Sequence, residues 1–126
     1  MKERSEKSIL NAAMVAVTAL PDVMAWRNNT GMAWQGKQRA VRVGQPVIVE
    51  RGMIILADAR PITFGLPGSA DILGVHDGRA FGIETKALFG KQRDQQAKFQ
   101  AVFSAAGGLY GLAYTPEQAV QLLTKG

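Results

Sequence analysis

Residues 70–86 read ADILGVHDGRAFGIETK, and this stretch decides the fold of the chain. Asp77-Gly78 stands between two apolar runs, and Asp-Gly is a preferred pair for the two-residue turn of a β-hairpin. With these two residues as the turn, His76 pairs with Arg79 across the hairpin. The stretch therefore predicts two antiparallel strands joined by a type I′ turn.

The predicted hairpin brings two carboxylates together. Counting outward from the turn places Asp71 opposite Glu84, and Lys86 lies two residues beyond Glu84 on the same face of the sheet. Opposed carboxylates repel each other, and a buried pair needs a cation or a proton. Mg²⁺ suits such a pair because it combines one or two carboxylates with carbonyls and waters, and the main-chain carbonyl of Thr85 is a candidate ligand. Alternatively, the charged residues form a surface ion-pair cluster of little energetic value.

The residues around these charges favour a site over an open surface. Apolar side chains occupy both faces of the two strands, as in a sheet covered by helices. They are Ile72, Leu73, Val75, Phe81 and Ile83. Gly68, just upstream, leaves room for a phosphate or a backbone segment to approach closely.

The composition excludes several other kinds of chemistry. The 126 residues are 47% hydrophobic, which predicts one domain with a buried core. No cysteine is present, which excludes disulfides, thiolate zinc sites and cysteine nucleophiles and fits a reducing cytoplasm. The single histidine, His76, excludes a multi-histidine metal site, so Mg²⁺ or Mn²⁺ is favoured over zinc. No segment is long and apolar enough to be expected to span a membrane.

The remaining pattern predicts the order helix, strands, helix, strand, helix. Helices are expected at Ser5–Leu20 and Asp94–Ala106 and after the capping residue Thr115, and strands at Val23–Arg27, Ala70–Val75, Arg79–Lys86 and Leu109–Tyr114. In the second helix, Ala97, Val102, Phe103 and Ala106 are expected to face inward. Within residues 32–64, short strands are expected at Val41–Val43, Val47–Val49 and Met53–Leu56.

A basic excess suits a polyanionic partner. The formal net charge is +5 and the sequence pI is about 9.9. The β-rich segment 32–64 carries much of this excess and is the best candidate for a DNA-facing arm. Its candidate DNA-binding residues are Lys37, Arg39, Arg42, Arg51 and Arg60. The alternative is that these side chains only solvate the exposed faces of strands.

Four segments of the chain together resemble a known family. They are Arg27–Gly31 (RNNTG), Gly68–Gly74 (GSADILG), Ile83–Lys86 (IETK) and Gln96–Phe99 (QAKF). Their order resembles the PD-(D/E)xK nuclease superfamily and, more closely, its virus-type replication-repair nuclease branch (VRR-NUC) in a stand-alone phage or bacterial form. The resemblance covers nearly the whole chain. It departs from the superfamily at Ala70, where Pro is common, and at Arg93, where a capping Ser is common, so that Asp94 is expected to cap the helix instead.

The resemblance implies a fold and a set of site residues. The fold is an α/β restriction-endonuclease-like core, a mixed β-sheet flanked by helices, forming one domain over residues 1–126 with segment 32–64 inserted. Asp71 and Glu84 would bind the metal together with the Thr85 carbonyl. Glu6 on the first helix would join them, with Glu3 as the less well matched alternative. The other role open to Glu6 is a favourable charge at the helix N-terminus. Lys86 would be the catalytic lysine, and Gln96 would orient Lys86 or the attacking water.

The implied activity is that of a Mg²⁺- or Mn²⁺-dependent endonuclease that hydrolyses branched DNA, such as Holliday junctions or flaps. Such an enzyme would serve DNA repair in the cytoplasm of a bacterium or a phage-infected cell, as a homodimer that pairs its cuts. The rival readings are a basic DNA-binding module without catalysis and a structural subunit of a larger nucleic-acid-processing complex. The opposed carboxylates and the lysine discriminate among these readings, because a pure binder does not need them.

Overall fold

The structure of the chain is a computed structural model that describes residues 5–38, 40, 42–48 and 50–125. The chain divides into two compact units, one made of Met1–Thr30 with Gly65–Gly126 and the other of Gly31–Phe64. In chain order the elements are α1 (Glu6–Thr18), β1 (Val23–Arg27), β2 (Gly31–Gln38), β3 (Leu56–Phe64), β4 (Ile72–His76), β5 (Arg79–Thr85), α2 (Asp94–Ala105), β6 (Leu109–Ala113) and α3 (Pro116–Thr124). The architecture is mixed α/β.

The larger unit is built on a mixed sheet in the order β1-β4-β5-β6. Strand β4 pairs antiparallel with β1 and β5, and β5 pairs in parallel with β6. The predicted hairpin is confirmed, because His76 pairs with Arg79 and the same register continues to the end of the ladder. Asp77 and Gly78 have φ angles of 51° and 79°, the positive values that a type I′ turn requires at both positions.

Helices α1 and α3 cover one face of this sheet and enclose the main core. Alternate residues of β5 point to this face, because side chains along a strand alternate between the two faces. The buried cluster contains Ala13, Val17, Ile72, Phe81, Ile83, Ala113, Ala119 and Leu123. The intervening positions of β5, including Glu84, therefore face the opposite side of the sheet.

Helix α2 contacts that opposite side through β6. Its half-buried residues are Gln96, Phe99, Gln100 and Phe103, at the i, i+3, i+4, i+7 spacing of one helix face. The Phe99 ring stacks on Phe103 at a centroid distance of 5.2 Å and lies 6.0 Å from the Tyr110 ring. The expectation that Ala97, Val102 and Ala106 face inward is wrong, since all three are exposed. Two of the four half-buried residues are glutamines, so the apolar periodicity of the sequence did not identify this face of α2.

The ends of the helices follow local capping chemistry. Ser5 caps α1 by accepting a hydrogen bond from the Ser8 N–H at 3.1 Å. Thr115 caps α3 in the same way, as predicted, through the Gln118 N–H at 3.1 Å. The expected cap at Asp94 is wrong, because the residue before α2 is Arg93. None of the helices in the described ranges combines the length and the apolar character needed to cross a membrane.

The smaller unit is an antiparallel ribbon of β2 and β3. Their register shifts between Gln35 and Lys37, which gives the ribbon an irregularity. The predicted short strands are wrong at residues 42, 43, 47, 48 and 53–55, which lie outside strands, whereas Leu56, the last residue of the third predicted strand, begins β3. Val41 and Val49 fall outside the described residues. The Val and Ile residues of the segment between β2 and β3 suggested strands there. The paired strands instead lie in the more polar stretches on either side of that segment, because strand formation depends on cross-strand partners as well as on residue type.

Candidate active site

Asp71 lies one residue before β4, at the end of the β4–β5 ladder. One of its carboxylate oxygens, Oδ2, accepts hydrogen bonds from both the N–H and the hydroxyl of Thr85, each at 2.9 Å. These two bonds fix the direction of the carboxylate and leave Oδ1 for another partner. The hydroxyl of Thr85 is thus a positioning group, which the sequence reading missed because it considered only the carbonyl of this residue.

Glu84 has the largest pKa shift among the described acidic residues of the larger unit. The residue is only 2% exposed. Burial is the largest of the causes that raise the pKa of Glu84 from its ordinary 4.5 to about 8. The Asp71 charge and a hydrogen bond between the two carboxyl groups raise this pKa further, whereas the Lys86 charge lowers it. The charges of Asp71 and Lys86 therefore both act on Glu84, so the structure places the three predicted residues within electrostatic range of one another.

Gln96 reaches the site from the start of α2. Its side-chain Nε2 donates a hydrogen bond to Glu84 Oε1 at 2.7 Å, and its Oε1 accepts one from the Arg93 N–H at 2.8 Å. Because each end of the amide has a distinct partner, its orientation is determined by the bonds themselves. The prediction gave Gln96 the task of orienting Lys86 or a water, whereas the observed contact is with Glu84.

Tyr110 on β6 is a second neighbour of Glu84 that the sequence analysis missed. Its hydroxyl lies 3.5 Å from Glu84 Oε2 as donor and accepts from Gln92 Nε2, also at 3.5 Å. The same Gln92 nitrogen donates to Gln100 Oε1 at 2.8 Å. Burial raises the pKa of Tyr110 to about 12, so the phenol keeps its proton and remains a donor. A tyrosine in an otherwise apolar strand was the available signal, because a buried hydroxyl needs a polar partner.

The loop before Asp71 is held from two directions. The side-chain amide of Asn28 donates to Ser69 Oγ at 2.5 Å and to the Ala70 carbonyl at 2.9 Å. Gly68 has a φ of 80°, and a Cβ there would lie 2.5 Å from the carbonyl oxygen of Gln95. The close approach predicted at Gly68 is thus made by the backbone of α2, which ties this helix to the loop that carries Asp71.

The remaining predicted ligand, Glu6, is the first residue of α1. Its charge is a minor cause that raises the pKa of Glu84, so the two residues interact at a distance. No group of three or more His, Cys, Asp and Glu side chains able to hold a metal occurs within the described ranges. The acidic side chains that the structure places near each other are therefore Asp71 and Glu84, and a metal role for Glu6 stays a prediction, while Glu3 lies outside the described residues.

The predicted DNA-binding residues belong to the smaller unit and its connection. Lys37 lies on β2 and Arg60 on β3, close to the register shift, and both are exposed. Arg42 and Arg51 are also exposed, in the connection between the two strands. Arg39 lies outside the described residues. These cations are available to solvent, as a phosphate-binding arm requires.

The chain matches no protein-family model and no curated protein.

The raised pKa of Glu84 predicts an unusual pH dependence in the metal-free protein. The folded chain keeps this proton up to about pH 8, whereas the unfolded chain releases it near 4.5. The stabilising contribution is therefore complete below the lower value and is lost as pH rises through the higher one. We expect the melting temperature in a chelator to fall over this interval by several degrees more than in Glu84→Gln. Equal pH profiles for the two proteins would contradict this assignment of the proton.

Proposed function

We propose that this chain is a metal-dependent endonuclease that hydrolyses phosphodiester bonds in DNA. The observation that carries the proposal is the burial of Glu84 and Lys86 at the end of the hairpin that also carries the half-buried Asp71, whose charge raises the pKa of Glu84. A carboxyl pair of this kind must share a proton or bind a cation. A protein gains little from burying such a pair for stability alone, so a binding role explains it better.

The donor set suits Mg²⁺ or Mn²⁺. Asp71 and Glu84 would hold the ion, with the Thr85 carbonyl as the third protein ligand and water or phosphate oxygens in the remaining positions. The bonds to Thr85, Gln96 and Tyr110 already orient both carboxylates, as supporting hydrogen bonds commonly do around metal ligands. A bound ion of this class lowers the pKa of water and offsets negative charge in phosphoryl chemistry.

Lys86 supplies the second part of the chemistry. It is 5% exposed, so its charge acts in a partly dry environment where electrostatic interactions are stronger than in water. Hydrolysis adds water across a P–O bond, and charge accumulates on the phosphate as the bond breaks. The ammonium group can stabilise that charge or position the attacking water.

Three features support DNA as the substrate. The chain is basic overall, with a net charge of +5. The smaller unit exposes Lys37 and Arg60, and its connection exposes Arg42 and Arg51. The sequence also resembles the VRR-NUC branch, from which we take a restriction-endonuclease-like core, a preference for branched DNA and action as a homodimer as parts of the proposal.

The decisive experiment is a cleavage assay on a four-way junction, a flap and a linear duplex of the same sequence. Each substrate is incubated with the protein in Mg²⁺, in Mn²⁺ or in EDTA. We expect cleavage with either metal and none in EDTA, with faster cutting of the branched substrates. Binding without cleavage under every metal condition would overturn the proposal and favour a non-catalytic DNA-binding module.

Replacing Tyr110 by Phe tests the support of Glu84. The change removes only the hydroxyl that faces Oε2. We expect metal affinity to fall by about 10-fold, the lower end of the range for lost supporting bonds, because the bond is long at 3.5 Å. Saturating metal should restore most of the cleavage rate. The measurement is a metal titration of DNA cleavage and of the melting temperature, with Thr124→Val as control, since that exposed hydroxyl bonds the Val120 carbonyl within α3 instead. Equal metal affinity in Tyr110→Phe and the wild type would exclude the role.

A further inference from the structure

The segment that follows Lys86 forms a tight turn in a costly conformation. The Gly90 N–H donates to the Ala87 carbonyl at 2.7 Å, which closes a four-residue turn. Phe89 occupies its third position with a φ of 70°. Turns with positive φ at this position normally use glycine, and a bulky side chain there is strained. A backbone preference therefore does not explain why phenylalanine stands at this place.

Burial does not explain it either. Leu88 is 56% exposed and Phe89 is 84% exposed. The two side chains therefore gain little from the hydrophobic effect within the described structure. Strain held at an exposed position beside a candidate site motivates a functional hypothesis.

The turn is anchored against the candidate active site. The Tyr114 hydroxyl donates to the Gly90 carbonyl at 2.9 Å, and the Lys86 N–H donates to the Ala113 carbonyl at 3.0 Å. A Cβ placed on Gly90 would lie 3.3 Å from the Cβ of Lys86. The base of the turn thus packs on the candidate catalytic lysine, while its apolar tip, Leu88–Phe89, stays in solvent.

We propose that the Leu88–Phe89 tip binds an unstacked base step of the DNA next to the phosphate being cut. This inference rests on the proposed function, because a phosphodiester held beside Lys86 brings its flanking nucleotides to the adjoining turn. Proteins that unstack DNA commonly insert Phe or Leu between bases, and aromatic rings stack on exposed bases. Unstacking costs least where pairing is already interrupted. The tip would therefore favour branched or flapped DNA over a continuous duplex.

The key variant is Phe89→Gly, because it removes the ring and relieves the positive φ at once. A merely structural residue would lower the melting temperature when lost, whereas this change should maintain or raise it. We expect the preference for flap over duplex, measured as the ratio of cleavage rates, to fall by about 5- to 150-fold, the value of one base stacked on an aromatic ring. Val15→Ala, which shortens an apolar side chain 71% exposed on α1, is the matched control and should keep the wild-type ratio.

A second measurement separates this inference from the proposed function. A flap carrying 2-aminopurine at the branch is titrated with Lys86→Met and with the double variant Lys86→Met/Phe89→Gly, in which Lys86 no longer drives cutting. Fluorescence should rise on binding only where Phe89 is present, and this result supports the tip whether or not the wild type cleaves DNA. An equal rise in both proteins, or none in either, overturns it. The inference is also overturned if Phe89→Gly changes the oligomeric state and leaves the ratio of flap to duplex cleavage rates unchanged. That result would show that the tip contacts another protein chain.

Discussion

Replacing Lys86 by Met is expected to slow DNA cleavage by about 100- to 10,000-fold, the range for losing a positioned proton-transfer or charge-stabilising group. Met keeps the length of the aliphatic stem, which matters because Lys86 is almost fully buried. DNA affinity should change little, since one buried cation contributes a small part of phosphate binding when exposed cations lie elsewhere. The measurement is single-turnover cleavage of a flap together with its binding isotherm.

The matched control is Lys125→Met, which removes the same charge from the exposed cap of α3. This variant should cleave at the wild-type rate. Cleavage by Lys86→Met at the rate of the control variant would show that Lys86 takes no part in the hydrolysis. Loss of binding and cleavage in equal measure would instead make Lys86 a phosphate-binding residue.

The second large effect is expected from Gly68→Ala. The new Cβ would lie 2.5 Å from the Gln95 carbonyl oxygen, so the loop and α2 must separate. Overpacking of this kind costs about 1–3 kcal/mol in unfolding free energy, in addition to about 1–2 kcal/mol for the left-handed backbone. The shift would also move Gln96 away from Glu84, and a displacement near 1 Å can lower a rate by about 100-fold.

Gly78→Ala isolates the steric part of that loss. Gly78 has a φ of 79°, nearly the same as Gly68, yet a Cβ there would have no atom within 4 Å. Both variants carry the same backbone penalty, and only Gly68→Ala displaces the helix. Urea unfolding should rank Gly68→Ala below Gly78→Ala, and cleavage should fall only in the former. Equal stability and activity of the two variants would contradict the close packing of the loop on α2.

The hairpin and its carboxylates could be predicted because the information is local. Asp77-Gly78 sets the turn, the turn sets the register, and the register determines which residues share a face. The same holds for the cap at Thr115, where the residue type and the following Pro116 carry the signal. Each of these features depends on residues a few positions apart, so the sequence contains all that is needed.

The surroundings of Glu84 could not be predicted in the same way. Tyr110 reaches it only because β6 lies parallel beside β5, a pairing that residues far apart in the chain decide. Gln92 enters from the segment before α2, and Thr85 uses a hydroxyl whose partner precedes β4. Side-chain hydrogen bonds of this kind depend on tertiary packing and leave no periodic pattern in the sequence.

The Gln96 amide joins the beginning of a helix to an acidic side chain on the sheet. Fraying of one turn at the start of α2 would release that amide and leave Glu84 without its shortest hydrogen bond. Helix ends open far more readily than buried strands. A ligand or partner that unwound only this turn would therefore remove the Gln96 bond from Glu84 while the hydrophobic core beneath α1 and α3 stayed folded.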